Sequence, residues 1–98
     1  MPTFNFEETV RSVCNDMADF LIKKNKCYGN SALDPVNCFY KGDTKQAILV
    51  RIDDKISRLM RGKEYGQEDT IKDLHGYLVL LEVLKRKEEM EKEYKTPF

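Results

Sequence analysis

Residues 47–61 read AILVRIDDKISRLMR, and whether this stretch is strand or helix decides the fold. Its first six residues alone suit a strand, because Ile, Leu and Val fit a pleated surface. The continuation does not alternate: Ile48, Ile52, Ile56, Leu59 and Met60 recur at steps of three and four, the spacing of one helical face. Asp43 with Gln46 three residues on has the form of a helix start, so a helix is expected to run from there to Arg61.

The flanking sequence repeats that period. Upstream, Phe6, Val10, Val13, Cys14, Met17 and Leu21 mark one face of a helix from about Asn5 to Lys26, with Asn5 and Glu8 as its capping box. Downstream, Gly62 and Gly66 bracket a short connection, after which Ile71, Leu74, Leu78, Leu81 and Leu84 define a third and longest helix over Glu68 to Tyr94. Its end, KRKEEMEKEYK, is mostly charge at four-residue spacings, Lys85 with Glu89 and Glu88 with Lys92, which reads as an exposed extension stopping before Pro97. No strand alternation or repeat is present. The expected fold is all-α, a three-helix domain spanning residues 1–98, with a long loop between helices 1 and 2.

Composition narrows the function. A chain of 98 residues builds a core of only moderate size, so burial between subunits is expected to add stability and a homo-oligomer, a dimer or larger, is anticipated. The 17 basic and 17 acidic residues cancel, which argues against general duplex binding and leaves room for a small anionic ligand in a local basic pocket. Cys14, Cys27 and Cys38 show no CxxC spacing and are odd in number, which fits reduced thiols in a cytosol. The start, MPTFNFEE, has no apolar segment of a leader, and no apolar run is long enough to span a membrane.

On helix 2, Arg51, Asp54, Lys55 and Arg58 form a stripe expected opposite the Ile52, Ile56 and Leu59 side. This is either a solvated face or a phosphate clamp, in which Arg offers a planar fork and Lys a compact charge. On helix 3, Asp69 and Asp73 are four apart near the helix start, where acidic residues suit the dipole. With Asp54 they form a set able to hold Mg²⁺, which takes one or two carboxylates plus phosphate oxygens and water. His75 has no visible nucleophile or base beside it and reads as a surface or packing residue, and Gly76 inside a helix reads as a point of close helix packing. Between helices 1 and 2, residues 27–43 read CYGNSALDPVNCFYKGD, a long loop for so small a domain. There Tyr28 offers a ring for stacking on a base, Gly29 a close backbone approach, and Asn30 and Ser31 hydrogen-bonding groups. The same residues equally form a helix C-cap, with Gly29 or Asn30 left-handed and Tyr28 over the core. Lys23, Lys24 and Lys26 suit the C-terminal dipole of helix 1.

Three blocks, residues 24–31 (KNKCYGNS), 51–59 (RIDDKISRL) and 68–77 (EDTIKDLHGY), resemble the phage and bacterial "nucleotide modification associated domain 1" proteins in order and spacing. That family's helical pattern is similar to the all-α NTP pyrophosphatases of the MazG and dimeric dUTPase type, which bind Mg²⁺ with carboxylates from adjacent helices and assemble as dimers or tetramers. The resemblance implies ligand contacts from Lys24, Tyr28, Asn30, Ser31, Arg51, Lys55, Arg58, Asp73 and Tyr77. Within that set Lys55 and Arg58 would meet phosphate, and Tyr28, Asn30 and Ser31 would meet base or sugar. It implies metal contacts from Asp54, Asp69 and Asp73. The pyrophosphatase pattern pairs an ExxE helix with an ExxD helix, whereas helix 2 here carries only Asp53 and Asp54. The expected function is cytoplasmic binding of a phosphorylated nucleotide, including sequestration of a nucleotide immune signal without chemistry. Mg²⁺-dependent hydrolysis of a nucleoside triphosphate is the enzymatic alternative. A helical protein–protein interaction module ranks third, because beyond Leu84 only Met90 and Tyr94 offer an apolar surface before the final residues.

Overall fold

The computed structural model describes residues 3–30, 32–33, 43–62 and 67–95. Among these the regular elements are three helices, α1 (Phe6–Cys27), α2 (Thr44–Arg61) and α3 (Gln67–Lys95), with no strand. The chain divides into two compact units, Met1–Ala32 and Leu33–Phe98.

The first unit is α1 with its caps. Asn5 is extended, and its Oδ1 accepts from the Glu8 N–H at 3.0 Å, while the Thr9 hydroxyl donates to the Asn5 carbonyl at 2.6 Å. The first contact satisfies an N–H that a helix start otherwise leaves to water. Glu7 and Glu8 in the first turn and Lys24 and Lys26 in the last both complement the helix dipole. Of the apolar face, only Met17 is buried, whereas Phe6, Val10 and Val13 are exposed. Cys14 and Cys27 are free and exposed, and Cys38 lies outside the described residues.

The second unit is a helical hairpin. Asp43 caps α2 by accepting from the Gln46 N–H at 2.7 Å, as its spacing predicts, and α2 ends at Gly62 in the left-handed region with φ 65°. Ile48 and Ile52 of α2 share the core with Leu84 of α3, flanked by Leu33, Leu49, Leu74, Tyr77, Leu80 and Leu81. Further along α2, Lys55 pairs with Asp73, nearer the start of α3. Contacts therefore move backwards along α3 as they advance along α2, and the two helices are antiparallel. The Thr44 hydroxyl donates to the Leu33 carbonyl at 3.3 Å, tying residue 33 to the start of α2.

The face of α2 turned to α3 is Ile48, Ile52, Lys55 and Leu59, at steps of four, three and four; Thr70, Leu74, Tyr77, Leu81 and Leu84 answer it from α3 with the same period. This is the repeat of a coiled-coil seam. It corrects the stripe expected from sequence, in which Lys55 lay opposite Ile52, Ile56 and Leu59. Lys55 occupies a seam position with its side chain 13% exposed, and Ile56 is displaced to 42% exposure. The physical reason is Asp73, which gives the ammonium a partner while the aliphatic stem lies along the seam.

Past Leu84, residues 85–92 are all exposed and Lys87 pairs with Glu91 at 3.6 Å, as a charged extension should. Among the described residues no helix is long and apolar enough to cross a membrane.

Candidate functional site

The seam fixes where the remaining side chains of the hairpin go. At about 100° per residue, Arg51, Asp54 and Arg58 fall to one side of the α2 seam, and Leu49, Asp53, Ile56 and Met60 to the other. On α3, Asp69, Asp73 and Gly76 fall to one side, and Ile71, His75, Leu78 and Glu82 to the other. In an antiparallel pair these sides match, and the Lys55–Asp73 pair shows which joins which. One flank of the hairpin thus carries Arg51, Asp54, Arg58, Asp69 and Asp73, with Lys55 at its inner edge. The opposite flank carries Ile56, Met60, Ile71 and Leu78, all exposed.

Within the charged flank the pairings are unequal. Lys55 Nζ lies 3.3 Å from Asp73 Oδ2, and the Asp73 side chain is 33% exposed. Arg58 Nε lies 3.4 Å from Asp54 Oδ2, with both side chains near half exposed, the i, i+4 geometry worth only a few tenths of a kcal/mol. That contact uses Nε and leaves the two terminal nitrogens of the guanidinium for another anion. Arg51 is exposed and makes no ion pair among the described residues. Arg51 and Arg58 are two turns apart, about 10 Å along the axis, and each can present a planar fork to phosphate oxygens.

The carboxylates are less free. Asp54 and Asp73 each face a cation, while Asp69 is exposed in the first turn of α3. Among the described residues no group of three or more His, Cys, Asp or Glu side chains could hold a metal ion. The set Asp54, Asp69 and Asp73 therefore lies on one flank without forming a ready-made metal centre.

Tyr77, implied by resemblance as a ligand contact, packs partly buried against the Ile48, Ile52 and Leu84 core. His75 is partly buried, and Gly76 is buried.

The end of α1 is organised separately. Gly29 and Asn30 are both left-handed, with φ 68° and 62°, so the cap geometry left open by the sequence is present. Tyr28 does not cover a core: the residue is 67% exposed. The N–H groups of Tyr28, Gly29 and Asn30 donate to the carbonyls of Lys24, Lys26 and Asn25 at 3.1, 3.3 and 2.7 Å. These three amides are spent on the cap, leaving the Tyr28 ring and the Asn30 side chain as the outward groups. Lys24 places its ammonium 5.3 Å from the centre of the Phe20 ring, a cation–π contact within α1. Ser31 lies outside the described residues.

Sequence reasoning missed Asn25. Partly buried, its Oδ1 accepts from the Ala32 N–H at 2.9 Å and its Nδ2 donates to Asn30 Oδ1 at 3.4 Å. A contact across seven residues beyond a helix end carries no periodic signal; the nearest hint was a lone Asn set among the lysines of a last helical turn.

Compared with protein-family models, with curated proteins and with solved structures, the chain finds no match.

Proposed function

We propose that this protein binds a phosphorylated nucleotide and holds it unaltered, a sequestering role of the kind that removes a nucleotide signal. The observation that carries this reading is the charged flank of the hairpin, where Arg51 and the terminal nitrogens of Arg58 stand on the same side of α2. Lys55 contributes positive potential from the inner edge, but with Asp73 opposite it is a secondary contact. A rigid helix holding two guanidinium groups is suited to an anion with several acceptor oxygens.

The first unit, taken by itself, offers at the end of α1 an exposed Tyr28 ring of the kind that stacks on a base, with the hydrogen-bonding groups of Asn30 in the same turn. Holding is preferred to hydrolysis because Asp54 and Asp73 already answer Arg58 and Lys55. Under the proposal Mg²⁺ enters with the phosphates as part of its shell, beside Asp54, Asp69 and Asp73. A homo-oligomer belongs to the same reading: Ile56, Met60, Ile71 and Leu78 on the other flank are exposed apolar side chains of the kind that a second copy covers.

The test is a melting-temperature screen against nucleotides with and without Mg²⁺, followed by mass spectrometry of the recovered ligand. A stabilising nucleotide recovered intact supports sequestration. Mg²⁺-dependent conversion to a monophosphate and pyrophosphate overturns it in favour of a hydrolase.

A further inference from the structure

The geometry points to the N-terminal half of α1 as a self-association surface, on which a second copy of this chain lies antiparallel across Phe6, Val10 and Val13. The surface belongs to the first unit alone, and neither the nucleotide reading nor the apolar flank of the hairpin enters the argument.

Phe6, Val10 and Val13 follow one another at steps of four and three, the spacing of one helical stripe. All three are exposed, whereas the next member of the stripe, Met17, is already buried. The stripe is therefore open only over its first two turns, and a second copy must centre there, between Thr9 and Val10. At about 100° per residue, Glu7 and Arg11 lie along one edge of the open stripe. Both are exposed and they stand four apart, yet neither makes an ion pair among the described residues.

A two-fold contact repeats itself, so that where residue i meets j, residue j meets i. With two α1 helices antiparallel about the level between Thr9 and Val10, Phe6 of each copy lies level with Val13 of the other, and the two Val10 residues are displaced by only about 1.5 Å along the axis. Like edges of the stripe face each other in such a pair, which brings Glu7 of each copy within about 1.5 Å of the level of Arg11 of the other. Two reciprocal ion pairs then border an apolar centre. A parallel pair would instead set Glu7 on Glu7 and Arg11 on Arg11 and align the two helix dipoles, so charge selects the antiparallel copy. Two turns of helix cover less than the roughly 1,200 Å² of a standard interface, so this contact is weak by itself and is read at high protein concentration.

The experiment is concentration-dependent sedimentation of the full chain carrying Met60→Lys and Ile71→Lys, which removes the hairpin flank as a competing contact. Glu7→Arg, Arg11→Glu and Val10→Lys are each added to that parent, with helix content checked by circular dichroism and no nucleotide present. The parent should self-associate at high concentration. Each charge substitution should weaken that association by about tenfold, because two attractive pairs become two repulsive ones. An equimolar mixture of the two charge variants should recover the parent's association, since each supplies the charge that the other lacks. Val10→Lys, which sets two ammonium groups at the centre of the contact, should leave only monomer.

A parent that stays monomeric at every concentration overturns the proposal. So do charge variants that associate as well as the parent, or a mixture that associates no better than its components. A parent that associates beside an equally associating Val10→Lys variant places the contact elsewhere and removes α1 from it.

Discussion

Lys55 of α2 and Asp73 of α3 meet at 3.3 Å, a charged layer in a seam whose remaining positions, Thr70 apart, are hydrophobic. One polar layer in such a seam fixes register, because a slipped pairing leaves a partly buried ammonium without its carboxylate. Asp73→Leu should therefore destabilise the hairpin by about 1–2 kcal/mol, the worth of a charged contact left half-made. The double variant Lys55→Met/Asp73→Leu should recover that loss, since an apolar pair of similar volume needs no desolvation of charge. Urea unfolding of both variants measures the difference.

Arg58→Met should leave stability almost untouched, because its exposed i, i+4 pair with Asp54 is worth only about 0.3 kcal/mol. Nucleotide affinity should fall by roughly tenfold or more on loss of one charge-assisted phosphate contact. Arg51→Met should behave alike. Isothermal titration beside thermal unfolding separates the two effects.

Tyr28 is exposed and so contributes little to folding. Tyr28→Ala should keep the melting temperature within a degree or two, yet weaken nucleotide binding by about 1–3 kcal/mol, the cost of one lost base stack. Tyr28→Phe should retain most of the affinity. Competition binding with a fluorescent nucleotide reads the order of the three proteins.

Gly62 holds φ 65° at the end of α2, and a Cβ there would meet nothing within 4 Å. The cost of Gly62→Ala is therefore that of the left-handed backbone alone, about 1–2 kcal/mol. Asp43→Ala, which removes the cap on Gln46, should cost about 1 kcal/mol. Both are read from urea midpoints, and neither should alter ligand affinity.

The apolar flank yields a prediction on assembly. Met60→Lys with Ile71→Lys should shift sedimentation toward the monomer, as charges at 82% and 55% exposed positions are harmless to a lone chain and costly in an interface.

The helices were legible because their signals are local. Asn5 with Glu8, Asp43 with Gln46, and Gly62 each act within a few residues, and the structure places all three as caps. The seam was only partly legible: Ile48, Ile52 and Leu59 announce its period, but a lysine at the remaining position reads as surface until Asp73 is known to stand opposite. The charged flank inherits that error, since choosing which side faces solvent depended on Lys55. Asn25 was hidden because its partners at 30 and 32 lie beyond the helix end, where no periodic rule reaches.

The account stands on phosphate binding by the arginine flank. The direct measurement is titration of wild type and of Arg51→Met/Arg58→Met with the nucleotide that raises the melting temperature most. Saturable binding by wild type, and a loss of about a hundredfold or more in a double variant that still folds, is the result expected from two charge-assisted contacts. Equal affinity in the two proteins would contradict it.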